Sequence, residues 1–226
     1  DDVRARAVPL LIERLKDEHP RVRAAAAVAL ADLEAREAVM ALLVSMEDDD
    51  MHVRQMAINA LGEIGDPRAL PRLRRALTDP RPEVRYQTVI AFARVADRCR
   101  EEDAGGLDAS EVDDALFEAV SDEDEAIAHI AFRVAEERLE EGRVPDGRLL
   151  ARARALVAAE ASDEALSPHV VLVAAILLAK AGDDRGHDII LRVVRGERIR
   201  GQAPNKEDER AAVELVGELG LEQAIP

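Results

Sequence analysis

The chain has 226 residues, of which 48% are hydrophobic but only 2% are aromatic, and its formal net charge is −16. Its apolar residues are mostly Ala, Leu and Val, which together with Arg and Glu are typical of helical proteins. The single cysteine, Cys99, excludes an intrachain disulfide framework and indicates a reducing compartment, for which we expect the cytoplasm. No apolar run approaches the roughly 18 residues of a membrane span, so we expect no membrane partner.

The charge is unevenly distributed along the chain. Up to Arg98 there are 16 basic and 17 acidic residues, whereas from Cys99 onward there are 15 basic and 30 acidic residues. An acidic surface repels the phosphates of nucleic acids and attracts basic partners. The charge therefore disfavours nucleic acid and favours a protein or peptide with a basic segment, although a need for solubility would also explain it.

The first predicted elements, in chain order, are three similar units. A Val-Arg pair recurs every 31 residues, at 22–23, 53–54 and 84–85. In the second unit Val53, Ala57 and Leu61 share one face of a predicted helix, which Gly65 ends. Another helix follows, with Pro67 in its first turn, where proline is tolerated. Each unit is therefore predicted to be a pair of antiparallel helices.

The later units repeat this pattern less regularly. The final residues LVGELGLEQAIP match ALGEIGDPRALP of the second unit at an offset of 155 residues, which is five times 31. Insertions flank the fourth unit. One helix pair cannot bury its apolar face alone, but stacked pairs can. We therefore predict a single array over residues 1–226, with regular repeats over 1–98 and irregular repeats over 99–226.

The order Asp-Pro, Val-Arg, ALGEIG and DPRALP resembles the HEAT-like repeats of the phycobilin lyase type. The resemblance covers essentially the whole chain and is strongest in its first three units. It implies an all-α fold, a right-handed α-solenoid of about six antiparallel helix pairs whose second helices line a concave face. It implies scaffolding or partner binding more than any single activity, because a fold does not carry a function by itself.

Three arginines, Arg23, Arg54 and Arg85, recur in the first turn of the second helices. They are predicted to be structural, each pairing with a carboxylate in a turn of its own or the neighbouring unit, such as Asp48 or Asp79. The rigid guanidinium fork suits this pairing, and the resemblance supports it because this arginine is a framework position in such repeats. The alternative is a basic ladder that binds an anionic ligand.

The sequence offers no convincing catalytic or metal-binding residues. The acidic runs lack the spaced oxygen ligands and central glycine of a calcium loop. Cys99 has no histidine near it in the sequence that would activate it as a nucleophile. The iron-binding His-Glu pairs of HEAT-repeat deoxyhypusine hydroxylases are also missing. We expect no cofactor and no metal.

The partner-binding surface is predicted on the side of each second helix that faces away from its core residues. Apolar side chains in the middle of this face suit a channel for a peptide or helix. If the fourth unit is aligned one residue out of register, its phenylalanine belongs to the core instead. The predicted binding residues are Val28, Gln55, Asn59, Glu63, Tyr86, Ile90, Arg94, Phe132, Glu136, Leu172, Ile176, Lys180 and Glu214.

The sequence thus favours a non-enzymatic protein- or peptide-binding scaffold or adaptor that uses its concave face, and it leaves the oligomeric state open. One alternative is an immunity or antitoxin protein that masks a basic toxin, where opposite charge would speed association. A second is a subunit related to bilin lyases, which the resemblance implies. A third is a HEAT-like nucleic-acid binder, although the chain lacks aromatic residues to stack on bases.

Overall fold

The structure, a computed structural model, describes residues 2–101, 109–159, 167–199 and 201–221. These residues form twelve α-helices joined by turns and short 3-10 segments, so the predicted all-α fold is confirmed. The chain divides into two compact units, unit 1 (Asp1–Ala115) and unit 2 (Leu116–Pro226). The division falls within helix α7 (Ala109–Ala119). A single array over residues 1–226 stays a prediction.

Unit 1 consists of helix pairs. Its second helices form one layer, because α4 packs between α2 and α6. Short 3-10 turns lead into the first helices of the second and third pairs, and a proline opens the latter turn, where a missing N–H is tolerated. The helices before α7 are α1 (Asp2–Arg14), α2 (Pro20–Asp32), α3 (Val39–Ser45), α4 (Met51–Ile64), α5 (Leu70–Ala76) and α6 (Pro82–Glu101).

The core of unit 1 follows the helical spacing of its apolar residues. Val53 and Leu61 are fully buried, as their shared face predicts. Gly62 lets α6 approach α4 closely, since a Cβ at this position would lie 3.0 Å from the Cα of Ala91. Gly65 ends α4 with φ of +66°, a left-handed conformation that glycine adopts without steric cost, and its predicted role is confirmed.

Unit 2 is organised around its most apolar helix, α10. Residues 170–179 of this helix are all buried, because α8, α9, α11 and α12 contact it from different sides. A helix that is apolar all round requires such burial. No helix in the described part of the chain is both long and apolar enough to cross a membrane. The helices after α7 are α8 (Glu125–Glu140), α9 (Gly147–Ala158), α10 (Pro168–Lys180), α11 (His187–Val194) and α12 (Lys206–Leu219).

The N-caps of the second helices give them a common register. Asp50 caps α4 by accepting hydrogen bonds from the backbone N–H groups of the next turn, and Asp124 caps α8 in the same way. Ser167 and Asn205 precede α10 and α12. We call the residues five, nine and thirteen places after the N-cap the inner positions, because they include the predicted binding residues of α4.

Candidate functional site

In unit 1 the inner positions lie at the surface of the second helices. The first two inner side chains of α4 and of α6 are half-buried. The last inner residues of these helices, Glu63 and Arg94, are exposed and form an ion pair with each other. Val28 of α2 is 41% exposed. A role for these residues in partner binding stays a prediction. The half-buried inner residues are Gln55, Asn59, Tyr86 and Ile90.

The recurrent arginines of unit 1 bind carboxylates and backbone oxygens of the turns. Arg23 donates from Nε and Nη2 to the two carboxylate oxygens of Asp48, both at 2.7 Å. Arg54 donates from Nη2 to Glu83 in the next repeat at 2.6 Å and from Nη1 to the backbone oxygen of Asp48 at 2.8 Å. Arg85 donates to a backbone oxygen of its own turn at 2.8 Å. These contacts are the ones expected of framework residues.

In the fourth repeat the predicted binding positions are wrong by one residue. Phe132 is 0% exposed and Glu136 is 4% exposed, so both belong to the packed interior of unit 2 rather than to an open face. The error arose because this repeat lacks the Val-Arg pair that anchors the first three. The inner positions of α8, counted from its N-cap, are His129, Arg133 and Glu137.

The predicted residues of α10 and α12 keep their register, but their surroundings differ. Leu172 and Ile176 are only 3% and 5% exposed. Lys180 donates to Glu136 of α8 at 2.7 Å, and this partly buried ion pair joins the two helices. Glu214 is exposed on α12 and accepts a hydrogen bond from an arginine one turn earlier at 2.8 Å. Leu172 and Ile176 are therefore the most deeply buried of the predicted binding residues on α10 and α12.

The N-terminal parts of α8, α10 and α12 surround a cleft of about 700 Å³, hereafter the cleft. Its floor is apolar and consists of buried side chains of α10, Leu172, Val173 and Ile176. The volume lies within the range of about 300–1,000 Å³ that ligand sites occupy. Titratable side chains form its walls and mouth: Glu125, His129 and Arg133 of α8, His169 of α10, and Glu207 and Asp208 of α12.

A polar network holds α12 against α10 at one wall of the cleft. His169 Nδ1 lies 2.9 Å from Asp208 Oδ1, and Nε2 lies 3.4 Å from the amide nitrogen of Asn205. With its hydrogen on Nδ1, the neutral ring donates to the carboxylate and accepts from the amide. Asn205 and Asp208 also form a capping box, in which each side chain accepts from the backbone N–H of the other. The network orders the first turn of α12.

The opposite wall is held by α8. Glu125 accepts a hydrogen bond from the backbone N–H of Ser167 at 3.0 Å, which ties the start of α8 to the start of α10. Arg133 donates to Glu136 at 2.7 Å and lies 3.9 Å from a carboxylate oxygen of Glu137, so two carboxylates of its own helix face its positive charge. The carboxylate of Glu207 at the mouth has no ion-pair partner among the described residues. The cleft therefore keeps an excess of negative charge when its histidines are neutral.

The side chain of His129 is open to a ligand in the cleft. Its ring nitrogens have no hydrogen-bond partner in the part of the chain that the structure describes. Burial is the main reason that the pKa of His129 is lowered, and the positive charges of His169 and Arg133 lower it further, while Asp208 opposes them. The neutral ring offers one donor and one acceptor to a ligand.

The geometry of the cleft suits ligand binding better than catalysis. His169 and Asp208 resemble a general-base pair, but the second ring nitrogen faces an amide rather than a hydroxyl or thiol. Cys99 is buried in unit 1. Among the described residues, no group of three or more His, Cys, Asp or Glu side chains is placed to hold a metal ion. The acidic run 48–50 is used in capping and in pairing with Arg23.

The repeat pattern of unit 1 corresponds to a known family. The family model described as HEAT repeats matches residues 8–93. Residues 8–93 are therefore similar to HEAT repeats. The match includes α2, α4 and the part of α6 up to residue 93, so the predicted resemblance is confirmed there. No curated protein matches the chain.

Several solved structures are similar to the chain at low sequence identity. A designed armadillo repeat protein is 15% identical, with a TM-score of 0.50 over 94% of this chain and 99% of the other. The complex of CpcE and CpcF of phycocyanin lyase from Nostoc is 21% identical, covers 94% of both chains and has a TM-score of 0.40. Human deoxyhypusine hydroxylase is 15% identical, covers 94% of this chain and 84% of the other, and also has a TM-score of 0.40. The armadillo likeness shows a helical-repeat fold and nothing of function.

Proposed function

We propose that the protein is a non-enzymatic scaffold or adaptor whose cleft in unit 2 binds a basic segment of another protein. The observation that carries the proposal is the apolar floor of Leu172, Val173 and Ile176 beneath a mouth where the carboxylate of Glu207 has no ion-pair partner among the described residues. An apolar side chain of the segment packs on the floor. A neighbouring lysine or arginine pairs with the carboxylate, and its aliphatic stem covers apolar surface.

The charge of the chain supports a basic rather than an acidic segment. The residues from Cys99 onward include 30 acidic and 15 basic residues, and three consecutive acidic residues, 207–209, stand in the first turn of α12. Arg133, the arginine that lines the cleft, faces the carboxylates of Glu136 and Glu137 and is therefore a weak binding site for an anionic ligand. Complementary charge would also speed encounter between the two proteins.

Fixed ties between the helices favour a preformed site. Glu125 holds α8 to α10, and His169 with Asp208 holds α10 to α12, so the walls need little rearrangement to receive a segment. A site that is already ordered loses less conformational entropy on binding than a disordered one. We propose binding rather than catalysis because the cleft presents polar groups that can hydrogen-bond to a segment, and no activated nucleophile lies among its described residues.

The proposal can be tested with short rhodamine-labelled peptides in which leucine alternates with lysine, arginine or glutamate. Fluorescence anisotropy should detect binding of the lysine and arginine peptides and no binding of the glutamate peptide. Glu207→Lys, at the mouth, should weaken binding by about tenfold or more, which corresponds to about 1.4 kcal/mol. Glu218→Lys, an equal charge change on an exposed position of the same helix outside the cleft, is the matched control. Equal losses in both variants would reduce the effect to net charge and contradict the proposal.

The inner positions of unit 1 are proposed as a second contact surface. Tyr86 and Ile90 of α6 are half-buried beside the polar Gln55 and Asn59 of α4. A second apolar segment of a partner would bind there. Tyr86→Ala should then weaken capture of the natural partner while leaving affinity for the short basic peptides unchanged. If Tyr86→Ala affects neither, this surface has no role in binding.

A further inference from the structure

His129 is placed to sense charge inside the cleft, since it lies half-buried beneath its mouth with both ring nitrogens unbonded to any described residue. Charged groups reach it from every helix that surrounds the cleft. On α8 these are Arg133 and Glu136, with Glu125 in the same lining; on α10 the group is His169; and on α12 it is Asp208, with Glu207 at the mouth. Arg133 is a cation and His169 can become one, while Glu136 and Asp208 already have partners of their own.

A cation at the position of His129 would conflict with a bound basic segment. A neutral imidazole can donate to or accept from the backbone of the segment. A protonated imidazole would stand between Arg133 and the lysine or arginine of the segment, on an apolar floor where the charges are poorly screened. We infer that acidification releases the basic segment from the cleft because His129 becomes protonated. This inference rests on the proposed function.

Of the two histidines that line the cleft, His129 is the one whose protonation adds an uncompensated charge, because His169 is hydrogen-bonded to the carboxylate of Asp208. Burial and its cationic neighbours lower the pKa of His129 from its ordinary value of 6.5, so the ring is neutral at neutral pH and gains its proton only as the solution becomes acidic. Carboxylates have ordinary pKa values of about 3.9–4.3 and remain ionised through this range. The negative mouth of the cleft therefore persists while the imidazole changes charge.

The test compares Kd values of a rhodamine-labelled leucine-lysine peptide at about pH 7.5 and about pH 5.5, on either side of ordinary histidine titration. Ionic strength is held constant. The variants are His129→Gln, which keeps a donor and an acceptor but cannot be charged, and His52→Gln. His52 is exposed in unit 1, far in sequence from the cleft, and serves as the matched control. The quantity compared is the ratio of the two Kd values within each protein.

The wild-type protein should bind about two- to fourfold more weakly at the lower pH, because a one-unit pKa difference between free and bound imidazole gives its full tenfold effect only below both pKa values. His52→Gln should show the same ratio, and His129→Gln should show a ratio near one. If His129→Gln retains the wild-type ratio, the inference is overturned while binding at neutral pH still supports the proposed function. If no peptide binds at neutral pH, the proposed function fails, and the inference fails with it.

A ligand-free measurement separates the two ideas further. The imidazole resonances of His129 can be followed by NMR during a pH titration of the intact chain. The inference requires His129 to gain its proton as the solution becomes mildly acidic, and its titration to move to higher pH in Arg133→Gln because a neighbouring cation is removed. A His129 ring that stays neutral at about pH 5.5 would overturn the switch even where the peptide binds.

Discussion

Replacing Arg54 by alanine tests whether the recurrent arginines hold neighbouring HEAT repeats together. Its guanidinium donates to Glu83 of the next repeat at 2.6 Å and to the backbone oxygens of Asp48 and Asp49 at 2.8 and 3.0 Å. The Arg54 and Glu83 side chains are only 11% and 21% exposed. The substitution therefore leaves a largely buried carboxylate and two carbonyl oxygens without their donor.

The expected loss in the free energy of unfolding lies between the values that are typical of buried and of exposed ion pairs. Breaking a buried pair costs about 3–5 kcal/mol, whereas an exposed pair contributes about 0–1 kcal/mol. Two features reduce the upper value here: the residual exposure of both side chains, and the Nε of Arg54, which is buried without a hydrogen-bond partner in the described part of the chain. We expect the free energy of unfolding to fall by about 2–3 kcal/mol, consistent with charged hydrogen bonds worth about 1.5–3 kcal/mol each.

The assay is urea unfolding followed by far-UV circular dichroism on the intact chain. Arg21→Ala is the control, because Arg21 is exposed on α2 and should change stability by no more than about 0.5 kcal/mol. Glu83→Gln and the double variant complete a mutant cycle, in which contacting residues should couple by about 0.5–3 kcal/mol. A loss of less than about 1 kcal/mol for Arg54→Ala, as for an exposed pair, would refute the structural role.

Two further predictions concern unit 1 in acid and the core of unit 2. The hydrogen bonds from Arg23 lower the pKa of Asp48, so the folded protein binds fewer protons than the unfolded chain. The stability that this pair contributes is present above the ordinary pKa of 3.8 and is lost as the pH falls below it. Asp48→Asn should therefore flatten that part of a stability–pH curve. Phe132→Ala should cost about 3–5 kcal/mol in urea unfolding because the side chain is fully buried, whereas Ile90→Ala should cost about 1.5 kcal/mol or less, and comparable losses would contradict the corrected register.

The sequence predicts the second helices of unit 1 well because its signals there are local and repeated. Val53 and Leu61 are buried as the helical spacing requires, and Gly65 has the left-handed conformation that a helix-ending glycine adopts. The Val-Arg pairs fix the register of all three second helices. Each such signal lies within one turn of the element that it specifies, so no knowledge of the tertiary arrangement is needed.

The walls of the cleft could not be predicted in the same way. His169 and Asp208 are 39 residues apart, and their pairing depends on how α12 packs against α10. Glu125 and Ser167 are 42 residues apart and meet for the same reason. One local signal was available for α8. Asp124 precedes Ile127 by three residues, as Asp50 precedes Val53, and reading both as N-caps would have set the register correctly.

The register of α8 decides what kind of binding surface unit 2 can present. A shift of one residue turns a side chain by about 100° around the helix axis. That rotation exchanges Phe132, which is packed in the core, for Arg133, and it brings His129 into the cleft in place of an alanine. A long apolar channel is then interrupted at α8, and only the floor formed by α10 stays apolar. The protein thus gains polar and titratable groups beside a small apolar surface, which suits recognition of one charged segment better than burial of an extended apolar helix.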